Sequence, residues 1–129
     1  MAFVLSGKSL EKLNSVHPDL QKVIKQAIQE TPVDFGVTCG LRTLEEQKKL
    51  FASGASRTMR SRHLTGHAVD LAAYVSGKLT WEWSYYEQIA QAVKDTAKEL
   101  GIPLDWGGEC FGPGFKDGPH FQLPWKKYP

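Results

Sequence analysis

The chain of 129 residues contains only two cysteines, Cys39 and Cys110, and they lie far from CxxC spacing. That excludes a cysteine-rich scaffold. Two independent thiols are the expected state, with one long-range disulfide as the alternative. No stretch approaches the roughly 20 apolar residues needed to cross a bilayer, so stable membrane insertion is not expected. The run from Met1 to Gly7 has neither a basic leader nor a long hydrophobic core, and it does not read as a secretory signal. An excess of one charge sign is missing as well. Sixteen Lys plus Arg stand against fourteen Asp plus Glu, giving a formal charge of +2. The densest basic group, Arg57, Arg60 and Arg62, adjoins a far more specific motif, so no nucleic-acid partner is expected.

What is present is an ordinary globular composition, 41% hydrophobic, at a length suited to one compact domain over residues 1–129. Leu20, Val23, Ile24, Ala27 and Ile28 fall on one helical face, and Pro18 with Asp19 opens that helix, which should run to about Gln29. Phe35, Val37 and Cys39 alternate as in a half-buried strand, and Gly40 ends it. Thr43 followed by Glu46 is a capping-box signal for a second helix, expected to turn Leu44, Leu50 and Phe51 toward packing surfaces. Residues 55–65 read as a loop. Ala68 to Ala73 reads as a short strand, with Val69 and Leu71 on one side and Ala68, Asp70 and Ala72 on the other. Ser76-Gly77-Lys78 turns the chain. A long helix follows from after Thr80 to about Leu100, marked by Ile89, Val93, Ala97 and Leu100 and stopped by Gly101 and Pro103. The glycine-rich tail carries one short closing strand, His120 to Leu123. The pattern predicts an α+β fold, a short antiparallel sheet packed by helices, with active groups at strand ends and loops.

Chemistry concentrates in Ser61-Arg62-His63-Leu64-Thr65-Gly66-His67-Ala68-Val69-Asp70. His63 can return from the loop while Asp70 projects from a defined strand face, and His120 could complete a set of three donors with a fourth position left for water or substrate. Zinc suits such a mixed nitrogen and oxygen set, because it accepts imidazole and carboxylate without an electronic shape preference. By spacing alone the reading stays open: a histidine can serve a core hydrogen-bond network and an aspartate can cap a turn. His67 would point opposite to Asp70 on a strand, so it is expected beside the site rather than as a ligand. His17, next to Pro18, reads as a helix-start residue. Trp81, Trp83, Tyr85 and Tyr86 read mainly as packing groups, whereas Trp106 and Phe111 are candidates for a site wall.

These motifs resemble the M15 zinc peptidases, the D-Ala-D-Ala carboxypeptidase and L-alanyl-D-glutamate endopeptidase superfamily. Ser61-x-His63-x-x-Gly66-x-Ala68-x-Asp70 resembles the first metal motif, and Asp117-Gly118-Pro119-His120-Phe121 resembles the second. Gly40-Leu41-Arg42-Thr43 and Trp106-Gly107-Gly108-Glu109 resemble two further segments, so the likeness spans about Phe35 to Leu123. Cys39 and Cys110 depart from the usual residues there. The resemblance implies a Zn2+ cofactor on His63, Asp70 and His120, Asp117 as general base, and Arg42 holding a substrate carboxylate or a developing oxyanion. Asp105 and Glu109 are the rival bases, and pairing with Glu45 or Glu46 is the alternative for Arg42. Asp117 could instead simply cap the Gly118-Pro119 turn.

Compactness, and the lack of a leader or a separate wall-binding segment, resemble the phage endolysin endopeptidases. Their likeness implies a monomer acting on the bacterial peptidoglycan stem peptide. It would accumulate in the host cytoplasm and reach the periplasm or cell wall after a separate membrane-permeabilising protein acts. The alternatives are a D-alanyl-D-alanine carboxypeptidase or dipeptidase and, from another class, a non-enzymatic wall-binding domain.

Overall fold

In the computed structural model, residues 3–54, 61–110 and 116–128 are described. Helix α1 (Gly7–Leu13) and helix α2 (Pro18–Glu30) precede strand β1 (Asp34–Cys39) and helix α3 (Leu44–Ala52). A 3-10 turn (Arg62–Thr65) leads into β2 (Ala68–Val75), which returns through β3 (Lys78–Thr80) to the long helix α4 (Trp83–Leu100). Strands β4 (Asp105–Trp106) and β5 (His120–Gln122) close the domain. The antiparallel sheet has the order β1-β2-β5-β4, and β3 also pairs with β2.

Strand β2 is central because its residues suit burial on both faces. Val69, Leu71 and Ala73 join the apolar core under α2 and α4, while Asp70 stands on the opposite side. Helix α2 contributes Leu20, Val23, Ile24, Ala27 and Ile28 to that core, and α4 contributes Tyr86, Ile89, Ala90, Val93 and Ala97. Each fully buried Leu, Ile or Val among them stabilises the fold by about 1.5–3 kcal/mol relative to exposure. Tyr86 also ties α4 to the sheet: its hydroxyl donates to Thr80 O at 2.8 Å and accepts from Ala73 N at 3.1 Å.

Several expectations shift on contact with this packing. Residues 61–65 are not irregular loop, because Ser61 caps the 3-10 turn by accepting from His63 N; residues 55–60, with Arg57 and Arg60, lie outside the described residues. Helix α1 was not expected; its one local signal is Ser6, whose side chain accepts from Ser9 N. Strands β3 and β4 are additions too short to show a period. The Thr43–Glu46 capping box is present as expected, yet Leu44 and Phe51 are 54% and 48% exposed, and the residue that α3 buries completely is Gln47. Leu100 ends α4 on the surface rather than in the core.

The site end of the sheet owes its shape to two devices. The β1–β2 register shifts between Val37 and Cys39, which brings Cys39 opposite Asp70. Gly40 then passes so close to α1 that a Cβ would sit 2.3 Å from Lys12 O, so only glycine fits there.

Candidate metal centre

Three segments converge on the half-buried Asp70. The 3-10 turn holds His63, and its carbonyl accepts from Arg42 N at 2.8 Å, joining the turn to the segment after β1. Cross-strand register places His120 of β5 directly opposite Asp70 of β2. Gly107 makes room beside it, since a Cβ there would lie 2.4 Å from Asp117 O and 2.9 Å from the His120 Cβ. Backbone bonds from Gly107 N to His120 O and from Asp117 N to Gly107 O fix the Asp117–His120 turn against that glycine.

The resulting geometry is directional. His63 Nε2 and His120 Nδ1 each lie 3.3 Å from the same Asp70 Oδ1, and the two rings sit 5.1 Å apart in a T-shaped arrangement. The outward nitrogens are already committed: His63 Nδ1 donates to Gly40 O at 2.8 Å, and His120 Nε2 donates to Gln122 Oε1 at 2.7 Å. Such outer hydrogen bonds select the tautomer that turns one lone pair inward. Two imidazole nitrogens and a carboxylate oxygen therefore converge with their orientations set, a donor set that fits zinc. Two groups of metal-holding geometry meet at Asp70: Cys39, His63 and Asp70 form one, and Asp70, Asp117 and His120 form the other, so the two imidazoles belong to different groups joined by the shared carboxylate.

Electrostatics agree with a site built for a cation. Burial alone would lower the His63 pKa, but hydrogen bonds to Asp70 and Cys39, with the charges of both, raise it to about 10. Burial would raise Asp70, yet His120 and His63 hold it well below the usual carboxylate range. Asp117 is pushed up by burial and by the Asp70 charge, with His120, His63 and Arg42 pulling the other way. The carboxylate of Asp70 and the imidazole of His63 thus each favour the charged form of the other.

Arg42 does not pair with Glu45 or Glu46. Its Nη1 donates to Gln47 Oε1 at 2.7 Å, and its Nη2 lies 3.4 Å from Cys39 Sγ and 3.7 Å from Asp70 Oδ2. Of the rival acids, Asp105 lies on β4 opposite Gln122, and Glu109 pairs with Lys94 at 2.9 Å on the surface. His67 Nδ1 is 2.7 Å from Thr65 Oγ1, its ring beside His17 and Tyr128, and His17 caps α2 by accepting from Asp19 N. Neither joins a metal-holding group among the described residues. Arg62 is buried, donating to the carbonyls of Leu123 and Tyr128 and lying over the Trp125 ring, so it presents no basic patch. Cys39 and Cys110 are both free thiols.

The aromatic wall is partly as expected. Trp106 is buried and donates from Nε1 to Gly118 O, while Trp83, partly exposed, stacks on it at 5.4 Å. Trp81 stacks on Tyr86 away from solvent on one face only, remaining 63% exposed. Phe111 lies outside the described residues. Gln122 and Gln47 were not singled out from the sequence, and Gly40 was read as a strand end and part of the arginine-bearing segment rather than as the partner of His63. Gln122 could have been, because two residues after His120 on a strand is the same face.

The family model for phage L-alanyl-D-glutamate peptidases matches residues 1–123. The chain belongs to that family. Among curated relatives, the L-alanyl-D-glutamate peptidase of Escherichia phage T5 is 34% identical over 113 residues, 84% of this chain and 82% of the relative. A peptidoglycan L-alanyl-D-glutamate endopeptidase of Bacillus subtilis, CwlK, is 28% identical over 128 residues, 85% of this chain and 74% of the relative. Among solved structures, the Serratia marcescens L-Ala D-Glu endopeptidase ChiX superposes with a TM-score of 0.89 at 49% identity, covering 98% of this chain and 94% of that one. The match to the peptidase family extends through β5 and so includes both the His63–Asp70 segment and the Asp117–His120 turn.

Proposed function

We propose that this chain is a zinc-dependent endopeptidase that hydrolyses the L-alanyl-D-glutamate bond of the peptidoglycan stem peptide. The observation that carries the reading is the convergence of His63 Nε2, His120 Nδ1 and Asp70 Oδ1, each imidazole oriented by an outer hydrogen bond. Membership of the phage peptidase family supports the bond class. His63, Asp70 and His120 hold the metal. Zinc, when bound, supplies a Lewis acid that polarises the scissile carbonyl and lowers the pKa of water.

The protein's own groups do the rest. Asp117, anchored by its backbone to Gly107, accepts a proton from the attacking water and delivers it to the departing amine. Arg42, held at the edge of the cluster, offers fixed donors to a substrate carboxylate or to the oxygen on which charge develops. Trp83 and Trp106 form an apolar wall on the Asp117–Gly118 side.

No helix among the described residues is long and apolar enough to cross a membrane. In this reading, which follows the phage endolysin likeness, the enzyme acts after release from the host cytoplasm, through a membrane opened by another protein, on peptidoglycan in the periplasm or cell wall. Mass spectrometry of purified peptidoglycan digested by the zinc-loaded protein tests the bond. New L-Ala and D-Glu termini are expected; released D-Ala would mean a carboxypeptidase or dipeptidase, and intact peptide would mean a binding domain.

A further inference from the structure

Helix α3 has an inverted composition for its position. Its apolar Leu44 and Phe51 face solvent, and the side chain it buries completely is the amide of Gln47. Burying an amide is costly unless its oxygen and nitrogen find partners, so this placement requires a reason beyond packing. The Gln47 Oε1 accepts from Arg42 Nη1 at 2.7 Å. Chain geometry explains how they meet: Thr43 caps α3, Gln47 lies four residues on, and its side chain runs back over the first turn toward Arg42.

The other side of the guanidinium faces the candidate metal centre, with Nη2 3.4 Å from Cys39 Sγ and 3.7 Å from Asp70 Oδ2. Arg42 is itself only 12% exposed, and its backbone is tied to His63 O. The capping box contributes separately, because Glu46 commits its carboxylate to Thr43 N and Oγ1, so that among the described residues Arg42 has its ion pair with Asp70 rather than with a carboxylate of α3.

We propose that Gln47 is a positioning residue for hydrolysis, orienting Arg42 toward the substrate through a neutral acceptor that leaves the guanidinium charge available. The inference rests on Arg42 acting on substrate as described above. Gln47, being fully buried, acts through Arg42 and does not touch substrate. The neutrality matters: a carboxylate at this position would form a charge-assisted pair with Arg42 and compete with the substrate's own negative charge. A hydrophobic side chain would instead let the guanidinium swing out of register, and small misplacements of a positioning group commonly cost on the order of 100-fold in rate.

A double-mutant cycle on Gln47→Leu and Arg42→Ala, measured on a synthetic stem peptide, tests this, with zinc content and thermal melting recorded for every variant. Gln47→Leu in the wild-type background is expected to lower kcat/KM by about 10- to 100-fold with zinc stoichiometry unchanged. In the Arg42→Ala background the same substitution is expected to cost less than about threefold, because the group it positions is gone. Gln47→Glu, which restores an acceptor but not neutrality, should recover the orientation yet remain slower than wild type. Arginine side-chain NMR of the zinc-free protein gives a readout independent of turnover: the Arg42 Nη groups should rotate slowly in wild type and freely in Gln47→Leu. An equal loss in both backgrounds, or unchanged Arg42 rotation, overturns the proposal. If wild type cleaves a different bond, the reading of the substrate fails while the Gln47–Arg42 coupling is still measured on the peptide it does cleave.

Discussion

Replacing Asp117 by Asn isolates proton transfer from metal holding. The side chain keeps its size, and its backbone stays fixed by the bonds between Asp117 N and Gly107 O and between His120 N and Asp117 O. What disappears is the only proton-accepting carboxylate beside Asp70 and His120 in that metal-holding group other than Asp70 itself. General-base groups commonly contribute about 10²- to 10⁴-fold, or roughly 3–5 kcal/mol of barrier. Asp117→Asn is therefore expected to lose about that much in kcat with one zinc still bound, since His63, Asp70 and His120 remain. The pH profile supplies a second signature. A base must be deprotonated, so wild-type kcat/KM falls as pH drops through the pKa of Asp117, and that acid limb should be missing from the residual activity of the variant. In zinc-free protein, NMR titration should find the Asp117 carboxyl above the usual aspartate range, because burial and the Asp70 charge both disfavour ionisation; adding zinc should bring it down. Turnover, zinc content by mass spectrometry and melting temperature are measured together, alongside Asp105→Asn and Glu109→Gln. Near-normal turnover in Asp117→Asn, with one of the other two inactive yet zinc-loaded, would refute the assignment.

Gln122→Leu removes the acceptor of His120 Nε2; zinc affinity should fall about 10- to 100-fold in competition with a chromophoric chelator, and unchanged affinity would deny the outer hydrogen bond its orienting role. Zinc uptake should release close to one proton per ion at pH 7, because His63, with its pKa raised to about 10, is protonated in the metal-free protein and must be neutral to ligate; calorimetry in buffers of different ionisation heat measures it. The same pair shapes metal-free stability: the His63 contribution is complete below its unfolded value of 6.5 and lost as pH rises through about 10, and that of Asp70 is present above 3.8 and lost as pH falls through its depressed folded value. Denaturant melts of chelated protein should thus weaken on both sides of that window. The Cys39→Ser, Cys110→Ser double variant should keep zinc and most activity, because the two thiols are unpaired and a serine oxygen can take the Cys39 place beside Arg42; complete loss in a folded, zinc-loaded protein would contradict this.

By itself the sequence determined whatever is written in short range. The helical face of Leu20 to Ile28, the alternation of Phe35 and Val37, and the Thr43–Glu46 capping box each repeat within a turn or two of chain, and α2, β1 and the start of α3 follow them. The two metal motifs each keep their residues within ten positions, but spacing alone left them open and the resemblance to the zinc peptidases made them legible; the structure brings His63, Asp70, His120, Asp117 and Arg42 to one place. Tertiary structure decided the rest. Strands of two or three residues such as β3 and β4 have no period to display and exist because β2 and β5 offer them edges. Which nitrogen of each histidine turns inward depends on Gly40 O and Gln122 Oε1, and the first of these lies 23 residues from its partner. The burial of Gln47 in place of Leu44 and Phe51 runs against any hydrophobic pattern. It arises because a charged guanidinium beside Asp70 needs an acceptor more than that helix needs an apolar contact.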